Sequence, residues 1–177
     1  MDKTKISELA LICAQNSANK NKEALTQNMQ DLKATMATFD LNEQYQIMAR
    51  LQNPNNVNGA LPAVEYAPVR DCFMQNLADY YSQQVVFQKE FENQASAFSL
   101  DQLEALRGAL ETAQSEGLPA NDQLNQNGIN GTSTRFDGYI NHIDERMAKI
   151  ADLDTDFSMW LIKLLTKKVE NFQPFLF

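Results

Sequence analysis

The chain has 177 residues but only one histidine, one tryptophan and two cysteines. These shortages exclude a good deal. A histidine triad needs a nucleophile and an orienting acid around His142, and nothing in the sequence selects either. There is no phosphate-binding loop, no dinucleotide-binding glycine fingerprint and no H-E-x-x-H zinc helix. Cys13 and Cys72 lie far apart in sequence inside helical patterns. They read as two thiols behaving as small hydrophobes, a disulfide between them being left open. Asp152, Asp154 and Asp156 spell the opening of a calcium loop. Its sixth position holds Phe157 where glycine is needed, and its twelfth holds Lys163 where glutamate is needed. No catalytic residue, metal site or cofactor is therefore expected, and the acidic pairs such as Asp144-Glu145 read as helix surface.

Basic residues are also short: 15 Lys and Arg against 23 Asp and Glu, for a net charge of −8. Without a basic stripe the chain is a poor binder of nucleic acid or of anionic membrane surfaces. No segment approaches the roughly 20 apolar residues of a membrane span. The run Leu9-Ala10-Leu11-Ile12-Cys13-Ala14 is too short for a signal sequence and has Glu8 at its edge. The expectation is a protein secreted without a cleaved signal peptide or, alternatively, a cytoplasmic one.

What the chain does have is helical periodicity with a seven-residue repeat. Phe136, Ile140, Ile143, Met147, Ile150, Phe157, Leu161 and Leu164 follow in steps of four and three, interrupted by Asp154. That spacing keeps one apolar seam on one side of a continuous helix over about 132–169, a rod about 55 Å long that needs a partner along its length. Asp154 in the seam reads as a residue that sets register or partner choice, the competing reading being a break in the rod. A second long helix is expected over about 5–51. Its seam is Leu11, Ala18, Leu25, Met29, Leu32, Met36 and Phe39, weak early, where Gln15 and Lys22 intrude, and strong late. Asp40 is placed as a cap or bend.

Between these arms, 52–68 reads as a loop, with Asn53-Pro54-Asn55-Asn56 and Asn58-Gly59 as turn formers and Pro62 and Pro68 as helix breakers. A helix over about 69–97 carries Phe73, Leu77, Tyr80, Gln84, Phe87 and Phe91, widened by Tyr81, Val85 and Val86. This broad aromatic face marks a central element. A short helix over about 99–116 opens on the capping box Ser99/Gln102, with Phe98 and Leu103 placed as a hydrophobic staple. Leu103, Leu106 and Leu110 line its buried face. Residues 117–131 form a second loop, which includes the glycosylation-type triplet Asn130-Gly131-Thr132. The tail at 170–177 brings Phe172, Phe175, Leu176 and Phe177 together around Pro174, more apolar surface than a solvated end needs. The fold class is thus all-α: a single, elongated helical bundle. Its first and last helices are expected to form a long antiparallel coiled coil.

Two heptad arms, Leu25 to Phe39 and Phe136 to Leu164, frame a polar and aromatic middle, and the surface is rich in Gln and Asn. The last arm is entered through Asn127-Gly128-Ile129-Asn130-Gly131-Thr132-Ser133-Thr134-Arg135-Phe136. This layout resembles the hydrophilic translocators of bacterial type III secretion, the needle-tip proteins and the filament subunits that extend the needle. The loop at 53–68 and the Phe-rich end stand outside the resemblance. It implies a non-enzymatic subunit, filamentous or homo-oligomeric, whose partners are proteins of a secretion apparatus. Candidate interface residues are Leu11, Ala18, Asp154, Phe172, Phe175, Leu176 and Phe177. The rival expectation is a cytoplasmic acidic adaptor, chaperone or inhibitor that masks a basic partner.

Overall fold

The structure is a computed structural model that describes residues 3–52, 61–83, 88–116 and 132–170, with side chains over 4–52, 61–82, 89–116 and 136–160. Among these residues there are seven helices and no strand. They are α1 (Lys3–Ala18), α2 (Lys22–Met36), α3 (Leu41–Gln52), α4 (Tyr66–Gln83), α5 (Gln88–Ala95), α6 (Leu100–Ser115) and α7 (Thr132–Glu170). The all-α class expected from the sequence is what the chain adopts.

The first long helix is not continuous. It breaks twice, and each break has a local cause. Lys20 takes a left-handed conformation with φ 56°. The Lys20 N–H donates to the Ser17 carbonyl (3.1 Å), and the Asn21 N–H reaches back to Asn16 (3.0 Å). This pair of bonds is the Schellman termination, here built on lysine where glycine is usual. Asn21 at once caps α2, its side chain accepting from the Ala24 N–H at 3.4 Å. A turn this short folds α1 back along α2 as a helical hairpin, and the two pack together. The second break is the cap expected at Asp40. Its carboxylate accepts from the Glu43 N–H at 2.8 Å, and Glu43 accepts in return from the Asp40 N–H at 3.4 Å.

The reversal also changes which face of α1 is inside. A seam carried unbroken from Phe39 would bury Leu11 and Ala18. The helix instead buries Ile6, Ala10 and Cys13, one stripe at steps of four and three, and leaves Leu11 39% exposed. In α2, Leu32 and Met36 are buried, as expected, with Leu25 and Met29 packed at the edge of the core.

Helix α4 is the centre of the bundle and touches α1, α2, α3 and α6. Its buried side chains, Val69, Cys72, Phe73, Met74, Leu77, Ala78 and Tyr81, spread around most of its circumference, as a helix walled in by neighbours requires. It begins at Tyr66, earlier than the prolines suggested. Pro68 sits in the first turn, where a backbone N–H has no intrahelical partner to lose. Tyr80 turns outward and Tyr81 takes the core place. Helix α6 starts where the capping box placed it. The Ser99 N–H donates to Gln102 Oε1 at 3.1 Å, and Leu103, Leu106 and Leu110 are all fully buried.

The described residues do not show the expected pairing of the first and last helices. Helices α1 and α2 lie against α4, whereas α7 lies against α6 and α5. A heptad seam states that a helix needs a partner and says nothing of which one. The leucine stripe of α6 and Phe91 of α5 compete successfully for α7.

Candidate interaction surface

Two features stand out from the core: a polar network at the start of α6, and the far half of α7.

The network ties three helices together. The Tyr66 hydroxyl donates to Asp101 Oδ2 at 2.5 Å, and the Ser99 hydroxyl donates to Asp101 Oδ1 at 2.6 Å. Arg70 reaches the same carboxylate at 3.4 Å and pairs with Asp71 at 2.8 Å. Gln102 Nε2 bridges Gln52 Oε1 (3.1 Å) and the Tyr66 oxygen (3.3 Å). Burial and the bond to Asp101 push the Tyr66 hydroxyl up to about 12. At Asp101, burial alone would raise the pKa, but the hydrogen bonds from Ser99, Tyr66 and Arg70 outweigh it and hold the carboxyl below its ordinary range. A phenol held protonated against a carboxylate held ionised is a stable donor and acceptor pair, with no proton to exchange near neutral pH. The network fastens the end of α3 and the starts of α4 and α6, and it works as a structural pin.

The thiols and the histidine are likewise built in. Cys13 and Cys72 are free and buried. Burial raises the pKa of both, Cys72 to about 12, and the Cys72 thiol donates to the Met29 carbonyl at 3.6 Å. They are poorly placed to act as thiolate nucleophiles. His142 lies edge-on to Phe91 with ring centroids 6.1 Å apart, its Nδ1 3.9 Å from Glu92. Among the described residues its buried Nε2 has no hydrogen-bond partner, nor has the buried Nε of Arg146 one turn on.

The second feature is α7 itself, 39 residues long and unbroken through Asp154. Its first half is docked. Phe136, Tyr139 and Ile143 are fully buried, and Tyr139 stacks on Phe91 with centroids 4.2 Å apart. Polar bonds flank this contact: Arg107 to Asp144 at 2.7 Å, Gln114 to Asp137 at 2.9 Å and Arg146 to the Ser96 carbonyl at 2.9 Å. Ile140, Met147 and Ile150 pack at the core's edge. Beyond Ile150 the cover stops, and every residue from 151 to 160 is exposed. Leu153 is 69% exposed, Phe157 60%, Met159 52% and Trp160 55%. Among the described residues Phe157 and Trp160 stack on each other alone, centroids 5.8 Å apart. On a helix, Ile150, Leu153, Phe157 and Trp160 continue the face that carries Phe136, Tyr139 and Ile143.

The expected interface residues fall in separate places. Leu11 and Ala18 are on exposed parts of α1, and Ala18 also edges a groove of about 430 Å³ that includes Leu25, Met29 and Val64. Asp154 is exposed on the projecting half of α7. Phe172, Phe175, Leu176 and Phe177 lie outside the described residues, as do the loop at 53–60, Gln84 and Phe87, and Asn130 and Gly131 of the Asn130-Gly131-Thr132 triplet. Sequence reading missed Leu153, Met159 and Trp160 as surface candidates, although the i, i+4, i+7 spacing of 153, 157 and 160 was there to find. Among the described residues no group of three or more His, Cys, Asp and Glu converges as a metal site would require, and no helix is long and apolar enough to cross a membrane. No family model, no curated protein and no solved structure matches the chain.

Proposed function

We propose that the protein is a non-enzymatic assembly subunit that joins other protein molecules through the projecting half of α7. One observation carries this reading: an unbroken helix leaves its own bundle with Leu153, Phe157, Met159 and Trp160 uncovered. A large apolar side chain contributes roughly 1.5–3 kcal/mol when fully buried, so the stripe of three formed by Leu153, Phe157 and Trp160 is a strong driving force for association. The long coiled coil anticipated for the last helix is then formed between molecules, with the first helix left to the core of its own bundle. The narrower assignment, a filament or tip subunit of a bacterial secretion apparatus exported without a cleaved signal, draws its support from the layout of the sequence: two heptad arms, a polar entry to the last one and a Gln/Asn-rich surface. An acidic cytoplasmic adaptor would use the same projecting helix on a different partner.

Light scattering coupled to size exclusion, with negative-stain images of the full chain, separates the readings. The assembly reading expects oligomers or filaments whose mass grows with concentration. A chain that remains monomeric at high concentration would instead support the adaptor.

A further inference from the structure

The projecting half of α7 carries its charges in two blocks. Asp152, Asp154 and Asp156 come first, all on exposed positions. Lys163, Lys167 and Lys168 follow in the sequence of the same helix, which runs to Glu170. The centres of the two blocks are about 18 Å apart at 1.5 Å per residue. We infer that the occupant of this surface is a second copy of the same helix, laid antiparallel across a two-fold axis near Trp160. The inference rests on the assembly reading and gives it a partner and an orientation.

The argument is one of charge and symmetry. In an antiparallel pair centred near residue 160, Asp152 faces the level of Lys168, and Asp156 faces the levels of Lys163 and Leu164. Each acidic block then meets the partner's basic block, twice by symmetry, as a self-complementary interface requires. In a parallel pair acid would face acid and base would face base, a repulsion that disfavours that alignment. The apolar stripe starts at Leu153 inside the acidic block and continues through Phe157 and Trp160, which lie between the two charge blocks, so the same alignment covers it. Residues 151–170 form a rod about 30 Å long. A contact of that length is small among specific interfaces, so the pair is expected to be concentration-dependent and not permanent. The acidic block beside the apolar stripe also disfavours an anionic lipid surface as the occupant.

Carbodiimide crosslinking of the full chain tests this directly, because the reagent joins only carboxylates and amines already in contact. Heavy-isotope-labelled and unlabelled chains are mixed, so that a bond between molecules shows as a mixed-isotope peptide. The expected result is mixed-isotope bonds joining Asp152, Asp154 or Asp156 to Lys163, Lys167 or Lys168. The double variant Phe157→Glu/Trp160→Glu should lose them, be monomeric by light scattering and keep the helical content of the parent. An oligomer that lacks these bonds would overturn the antiparallel pair and leave the assembly reading standing. A monomer at every concentration would overturn both. A monomer that co-floats with vesicles of phosphatidylcholine and phosphatidylglycerol would also overturn both, and would make the projecting helix a lipid-binding segment.

Discussion

The two halves of α7 have the same periodicity and different fates. From Phe136 to Ile143 the apolar face is sealed by Phe91, Tyr81 and the α6 leucines. From Leu153 to Trp160 a continuation of that face has no cover within the described residues. A repeat of sevens encodes a demand for a partner. Whether the partner comes from the same chain is decided by how far the bundle extends, and α6 has only 16 residues to lay against a helix of 39.

The sharpest way to break this contrast is to truncate one aromatic from each half. Phe136→Ala should destabilise the dilute protein by about 3–5 kcal/mol through a buried cavity. Under the same conditions Trp160→Ala should change the unfolding free energy from urea titration by no more than about 0.5 kcal/mol, as at an exposed site. Comparable losses at both positions would mean that the far half is packed within the monomer.

A medium effect is expected away from α7, at the pin that holds α6 in place to receive it. Tyr66→Phe leaves Asp101 and Gln102 each short of a partner and should cost about 1–3 kcal/mol. The pH dependence has a definite sign. The Asp101 carboxyl titrates below its unfolded value in the folded protein, so its stabilisation is complete above about pH 4. It is lost as the pH falls through the lower folded value. Asp101→Asn should therefore be less stable than the parent near neutrality and show a flatter decline in stability between about pH 5 and pH 2. Acid-titration melting curves of the two proteins should converge at the low end.

Smaller effects are expected at local features of the α6 scaffold. Ser99→Ala removes a capping-box oxygen and should cost about 1 kcal/mol without altering assembly. Gly108→Ala should stabilise the protein by about 0.5–1 kcal/mol, since a Cβ there meets nothing within 4 Å. Thermal melts resolve both.

How legible the fold was depended on whether the signal was local. The start of α6 at Ser99, the cap at Asp40, the aromatic centre in α4 and the length of α7 could be read, because capping chemistry and a 3.6-residue period act within a few turns. The reversal at Lys20 could not. Its termination uses a lysine in a left-handed conformation, and no glycine announces it. Once that turn was missed, the buried face of α1 was carried over in the wrong phase, from Ile6 and Cys13 to Leu11 and Ala18. The Tyr66–Asp101 pin joins residues 35 apart in sequence, beyond any local pattern. The choice of partner for α7 likewise depends on which apolar faces meet in three dimensions.

The central claim is that residues 151–160 are covered by another molecule and residues 136–147 by their own bundle. Hydrogen exchange across a dilution series measures the two segments in one experiment. The account predicts that protection of 151–160 rises with protein concentration while that of 136–147 stays constant. Protection of 151–160 that is already high at the lowest concentration, or that does not change across the series, would contradict it.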